Sequence, residues 1–174
     1  MFSGIGGFEY GLLKSNINHR LVGYSEIDQY AIKIFEEHFK GVKNYGNATK
    51  IDGSELPDFD FFVGGFPCQA FSNAGLREGF NDSRGNLFFD IARVLHKKQP
   101  KYFLLENVKG LLYHDEGRTF QTIRTILGEL GYEIEWRIYN SKNFGVAQNR
   151  ERIFIKGYLG NGSTKKIFFI KKND

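Results

Sequence analysis

Asp58-Phe59-Asp60-Phe61-Phe62-Val63 runs straight into Gly64-Gly65-Phe66-Pro67-Cys68-Gln69-Ala70-Phe71-Ser72, and this junction decides the fold. The first six residues read as a buried strand of a parallel sheet, where both faces are covered and polar alternation disappears. Two glycines then stop the strand, and Pro67 fixes the backbone just ahead of the only cysteine in the chain. Loops at the carboxyl ends of parallel strands are where open α/β sheets hold ligands and chemistry. A lone cysteine is often just a small buried hydrophobe. Core packing does not call for a loop framed by glycine and proline, whereas a positioned nucleophile does. Cys68 is therefore the candidate nucleophile.

The 174 residues fit one domain able to bury a sizeable core. Hydrophobic residues make up 41% and aromatic residues 16%, enough apolar surface to exclude a disordered chain. No apolar run approaches the roughly 20 residues needed to cross a bilayer. No basic region followed by a hydrophobic stretch opens the chain, so no secretory signal is expected. One cysteine forms no internal disulfide and fits a reducing, cytoplasmic compartment. His19, His38, His96 and His114 are scattered without ligand spacing, so no metal site is expected. A net charge of +4 is mildly favourable for a nucleic-acid partner.

Met1-Phe2-Ser3-Gly4-Ile5-Gly6-Gly7 reads as a glycine-rich turn feeding a helix, a place where backbone amides approach a ligand closely. A tight strand-to-helix turn is the plain alternative. As a dinucleotide fingerprint it fails, because the spacing counted from Gly4 needs glycine where Glu9 stands. That disfavours a nicotinamide-dependent dehydrogenase. Leu21-Val22-Gly23-Tyr24-Ser25-Glu26-Ile27-Asp28 reads as a short strand ending in carboxylates. Glu26 lies about 20 residues past the glycine turn, where an acidic side chain accepts ribose hydroxyls. Asp28 fits a helix N-cap. Asn47, in Tyr45-Gly46-Asn47-Ala48-Thr49, is either a turn residue or an acceptor for a base.

Asn73 to Asn86 is long, polar and glycine-bearing, the kind of loop that closes over a substrate. Leu87 to Leu95 has helical periodicity, as do Phe120, Ile123, Ile126, Leu127 and Leu130. Lys101 to Val108 is a second buried-strand pattern closing on Glu106-Asn107. Such a carboxylate suits a general acid, or else caps a helix or loop. Tyr132 to Tyr139 alternates as a strand does. Arg150 and Arg152, two apart, would point the same way as a cationic pair; a solvated charged edge is the alternative. Ile167 to Ile170, between lysine pairs, fits an edge strand.

Gly65-Phe66-Pro67-Cys68-Gln69, Glu106-Asn107-Val108 and Gln148-Asn149-Arg150-Glu151-Arg152, in this order, resemble the motifs of the cytosine-C5 DNA methyltransferases, here of bacterial restriction-modification type. The opening Phe2-Ser3-Gly4-Ile5-Gly6-Gly7 is similar to that family's nucleotide loop. The resemblance implies a Rossmann-like, S-adenosylmethionine-dependent methyltransferase lobe, an α/β fold with a mostly parallel sheet flanked by helices. It implies Cys68, Glu106, Arg150 and Arg152 as catalytic residues, with Asn107 holding the cysteine loop. Phe2, Gly4, Ile5, Gly7, Glu26, Ile27, Asn47, Ala48, Gly65, Pro67 and Leu87 would line the S-adenosylmethionine pocket. The family usually has Gly-Asp-Ile where this chain has Gly46-Asn47-Ala48. Gln69, Ser72, Arg84 and Gln148 would meet duplex DNA carrying a flipped cytosine.

The family's pattern continues beyond the last motif into a smaller target-reading domain and a final segment that completes the cofactor pocket. Residues 1–174 are therefore expected to form a single catalytic lobe, with most of the first strand and the target-recognition domain absent. A second polypeptide would supply the rest, as in a split enzyme. An inactive truncated remnant or binding subunit is one alternative, and a tRNA cytosine-5 methyltransferase another; Gln69-Ala70-Phe71-Ser72 favours DNA.

Overall fold

Residues 1–67 and 87–160 are described by the computed structural model of the chain. Four strands form one sheet in the order β1-β2-β4-β3, with β1 at Phe61–Gly65, β2 at Tyr102–Val108, β3 at Tyr132–Asn140 and β4 at Glu151–Leu159. β1 runs parallel to β2, while β4 is antiparallel to both β2 and β3. The parallel side continues past β1 through extended pieces outside the named strands. The Met1 ammonium donates to Val63 O at 2.8 Å and Ser3 N to Ser25 O at 3.1 Å, and Tyr24 forms a lone parallel bridge with Asn44. The expected sheet flanked by helices is present, and it is mixed, because β3 and β4 double back on each other.

Helix α1 spans Gly7–Lys14, α2 Gln29–His38, α3 Leu87–Lys98 and α4 Arg118–Glu129. In α3 the buried Phe88, Ile91, Ala92 and Leu95 recur at the spacing of one helical face. That face and the Ile123–Leu127 face of α4 meet Phe103, Leu105, Ile153 and Ile155 of the central strands in one core. Each such aliphatic side chain, fully buried, contributes about 1.5–3 kcal/mol. This packing anchors β2 and β4. On the opposite face Phe8 of α1 sets its ring edge-on to Phe154, centroids 6.3 Å apart. α3 ends at Gln99, whose φ of 44° is left-handed, and Pro100 bars its continuation.

Several expectations shift on this frame. Gly64 and Gly65 do not stop the first strand; they are its last two residues, paired with Leu105 and Glu106. Its start moves to Phe61, because Asp58 faces solvent and pairs with Lys98. Leu21 to Asp28 makes only the single bridge at Tyr24, to Asn44, with Met1 to Ser3 on its other side joined by one backbone bond, Ser3 N to Ser25 O. Asp28 caps α2 as read, accepting Ala31 N–H at 2.8 Å. The strand reading of Ile167 to Ile170 lies outside the described residues.

Candidate active site

Register brings the catalytic candidates of β2 and β4 together. Glu106 sits opposite Gly65 on one side and Phe154 on the other, and Val108 sits opposite Arg152. Across the β2–β4 ladder, Arg152 Nε lies 2.8 Å from Glu106 Oε1. Their side chains are only 22% and 25% exposed, so the pair is partly withdrawn from solvent screening. Arg150 joins them in a cleft of about 440 Å³, walled by Leu104, Tyr139, Phe144 and Phe154. A carboxylate and two guanidinium groups among apolar walls can hold a planar polar ring by its edge and stabilise charge that develops on it. Gly65 leaves room for this approach: a Cβ there would lie 3.1 Å from Glu106 Oε2 and the carboxylate would have to shift by a few tenths of an ångström.

Side-chain bonds to the backbone hold this cleft. Asn107, 2% exposed, donates from Nδ2 to Phe66 O at 2.8 Å, fixing the end of β1 just before Pro67. Asn140 Oδ1 accepts the amides of Lys142 and Arg150, both at 3.2 Å, and its Nδ2 donates to Asn149. Ser141 donates to Gln148 O and, through its amide, to Arg150 O at 3.1 Å. Asn140 and Ser141 were missed in the sequence. An Asn-Ser pair closing an alternating strand is the signal that could have exposed them. Gln148 and Arg150 themselves are exposed. Cys68, Gln69, Ser72 and Arg84 lie outside the described residues, whose last member before them is the exposed Pro67.

Of the cofactor candidates, Phe2, Gly4, Ile5 and Gly7 lie at the turn that leads into α1, and Glu26 with its neighbour Ile27 is tied to it. Phe2, Gly4 and Gly6 have φ of 53°, 54° and 89°, a left-handed alternation that glycine tolerates and Phe2 adopts at a cost of about 1–3 kcal/mol. A Cβ on Gly6 would strike the Phe39 ring at 2.7 Å, whereas Gly7 opens α1 with free space around it. Glu26 accepts three backbone amides: Gly4 N at 2.8 Å on Oε2, and Ile27 N and Asp28 N at 2.8 and 3.0 Å on Oε1. An ionised carboxylate offers about four acceptor sites, so capacity remains for a hydroxyl. Ile5 and Ile27, chain neighbours of the bonded Gly4 and Glu26, are 58% and 63% exposed.

Asn44 and Ser25 were also missed. Asn44 accepts Glu26 N and Gly46 N at 3.2 and 2.9 Å and donates to Glu26 O, while Ser25 donates to Gly46 O at 2.7 Å. Asn47 is the cap of a 3-10 turn at Ala48–Lys50, its Oδ1 accepting both Thr49 N and Thr49 Oγ1 at 3.0 Å. The Asn47 side-chain N–H groups and the Ala48 N–H have no hydrogen-bond partner among the described residues. Leu87, half-buried, opens α3. A second cavity, about 480 Å³, lies between residues 17–25 and Leu56–Val63 and is lined by none of the candidate site residues.

Comparison with known proteins relates the sequence to one family. The model of the C-5 cytosine-specific DNA methylase family matches residues 1–174. The type II methyltransferase M1.ScrFI of Lactococcus lactis subsp. cremoris is 51% identical over 158 residues, 91% of this chain and 40% of that protein. The orphan methyltransferase M.SPRI of Bacillus phage SPR is 50% identical over 159 residues, 90% of this chain and 36% of that protein. The chain thus spans about two fifths of the length of these curated relatives. In fold it is similar to the S. pombe Dnmt2 methyltransferase, with a TM-score of 0.71 over 93% of this chain and 49% of that one, at 23% identity. With its whole length matched by that model and half its residues shared with named methyltransferases, the chain belongs to the C-5 cytosine-specific DNA methylase family.

Proposed function

We propose that the chain is the catalytic lobe of a DNA (cytosine-5-)-methyltransferase. The observation that carries this is the Glu106–Arg152 pair sharing one cleft with Arg150, across the β2–β1 register from the glycine that leads to Pro67 and Cys68. The Cys68 thiolate adds to C6 of a flipped cytosine and moves electron density onto C5. Glu106 meets the N3 edge and stabilises the adduct by protonation or hydrogen bonding there, with Arg152 holding the carboxylate and Arg150 orienting the ring. Once the C5 proton has gone to a base, Cys68 is eliminated and the ring regains its aromaticity.

The turn before α1 fits S-adenosylmethionine. Left-handed residues at Phe2, Gly4 and Gly6 curl the backbone, Glu26 keeps acceptor capacity for ribose, and Ile5 and Ile27 offer apolar surface. When bound, this group supplies the electrophilic methyl that the activated C5 takes up. Phe2, Gly4, Ile5, Gly7, Glu26, Ile27, Asn47, Ala48, Gly65, Pro67 and Leu87 hold it in this reading. Gln69, Ser72, Arg84 and Gln148 contact DNA, and a further polypeptide segment reads the target sequence through groove contacts.

The test is trapping. Duplex DNA carrying 5-fluorocytosine, which cannot release a C5 proton, is incubated with the chain and S-adenosylmethionine. A denaturant-stable protein–DNA adduct is expected, absent with Cys68→Ser, while calorimetry returns similar cofactor affinity for both proteins. An adduct that survives Cys68→Ser overturns the covalent mechanism. Cofactor binding without any adduct from the unsubstituted chain overturns the catalytic reading.

A further inference from the structure

Arg93 lies on α3, away from the cleft, and none of the motif residues explains it. Its guanidinium reaches across to the Asn47 turn. Nη2 donates to Ala48 O at 3.1 Å, and Nη1 lies 3.5 Å from Thr49 O. The same Nη2 is 2.9 Å from Asp90 Oδ1, one helical turn earlier. Asp90 is 1% exposed, and its Oδ2 has no hydrogen-bond partner among the described residues. Burial pushes its carboxyl above the usual range, with Arg93 opposing that shift.

As a stability device this is a poor arrangement. An i,i+3 ion pair on a helix is worth about 0.2–0.5 kcal/mol, and a buried carboxylate with an idle oxygen costs more than that. What the pair does provide is a guanidinium held in one orientation, because Asp90 cannot move within the packed face of α3. That guanidinium grips two successive carbonyls of a three-residue turn. The turn is closed on itself by Lys50 N to Asn47 O at 2.9 Å, Ile51 N to Ala48 O at 3.4 Å, and Thr49 N and Oγ1 to Asn47 Oδ1 at 3.0 Å. What Arg93 adds is the tie that sets this closed turn, with the N–H groups of Asn47 and Ala48, in place against α3.

We propose that Arg93, oriented by Asp90, is a positioning residue that fixes the Asn47–Ala48 turn for recognition of the adenine ring of the cofactor. This rests on the reading that the turn meets S-adenosylmethionine. The donors of the turn suit a ring nitrogen acceptor such as adenine N1. Hypoxanthine carries a hydrogen on N1, so N1 no longer accepts and the Ala48 N–H is left without its partner on the ring. Arg93 therefore acts on base discrimination, not on the remainder of the cofactor.

The experiment titrates the chain and its variants with S-adenosylhomocysteine and with its analogue carrying hypoxanthine in place of adenine. The unsubstituted chain is expected to prefer the adenine form at least tenfold. Arg93→Ala should lose at least tenfold on the adenine form and less than threefold on the hypoxanthine form, so that discrimination collapses. Arg93→Lys, able to reach one carbonyl, should restore part of it. Asp90→Asn, which keeps the volume of the core, should lower discrimination in the same direction, and amide exchange at Lys50 should quicken in both Arg93→Ala and Asp90→Asn. Equal losses on both ligands, or discrimination unchanged in both variants, overturn the proposal. Failure of the unsubstituted chain to bind either ligand removes the cofactor reading itself, and the proposal falls with it.

Discussion

Two halves of this lobe are built by different physics. Around the catalytic cleft, the strands β1, β2 and β4 set Gly65, Glu106 and Arg152 side by side through ladder register, backed by a core of fully buried side chains. Around the candidate cofactor turn there is almost no ladder. Segments 1–3, 22–26 and 43–48 are tied by individual side chains: Glu26 to three amides, Asn44 to both ends of Glu26, Ser25 to Gly46, Arg93 to Ala48. A ladder distributes its strength, and polar caps such as Asn107 and Asn140 secure only the segments at its ends. A web of caps concentrates it, so single substitutions on the cofactor side should disturb geometry and binding together.

The sharpest way to break that contrast is Arg152→Ala. Removing one preorganised charge from an active site costs about 10²–10³ in rate. Single-turnover methyl transfer should fall by that factor, while the affinity for S-adenosylmethionine stays within about threefold. A large drop in cofactor affinity would mean that the two halves are not separable. Glu26→Ala should do the reverse. It removes hydrogen bonds to a charged group, worth about 1.5–3 kcal/mol, and so should weaken cofactor binding roughly tenfold to a hundredfold. Unchanged affinity would refute its ribose role.

Asn44→Ala sharpens the comparison from the structural side. Its amide satisfies two donors and one acceptor of the 26 and 46 segments. Losing them should cost about 1–3 kcal/mol in denaturant unfolding and raise the cofactor Kd, with single-turnover transfer at saturating cofactor preserved. Asn140→Ala is its counterpart on the other half. It should slow transfer by loosening Arg150 while leaving the cofactor Kd unchanged.

The same contrast explains what was legible in the sequence. Glu106, Arg150 and Arg152 could be read because apolar strands bracket them, and strand patterning carries register with it. The helical spacing of α3 and α4 was equally plain, since a packed face leaves a periodic imprint. Asn44, Ser25 and Arg93 left no such imprint: they reach backbone 18, 21 and 45 positions away in sequence. Arg93 meets Ala48 from 45 positions along the chain, a relation that no local pattern encodes. The glycines misled for a related reason. Gly64 and Gly65 look like a strand stop, yet they are in the strand because Glu106 and the Met1 carbonyl crowd the places where their side chains would go.

Two glutamates bring the comparison to its smallest expected effect. Glu106 has a cation 2.8 Å away, whereas Glu9, on α1, is 3% exposed and its Oε2 has no hydrogen-bond partner among the described residues. Burial raises the Glu9 carboxyl above its usual range, and its own backbone amide and the chain's amino terminus only partly oppose that. A carboxyl whose pKa is higher folded than unfolded binds its proton more tightly in the native state. Its contribution is therefore intact below the unfolded value of 4.5 and is lost as pH rises through the folded value. Glu9→Gln removes the ionisation. At pH 7 the variant should be more stable by about 1 kcal/mol, the scale of an unsatisfied buried polar group, and that gain should vanish as the pH approaches 4.5. Denaturant unfolding at both pH values reads this directly. A gain that is the same at both would assign it to packing instead of charge, and a loss at pH 7 would mean that the Glu9 carboxylate is stabilised by the amino terminus more than burial penalises it.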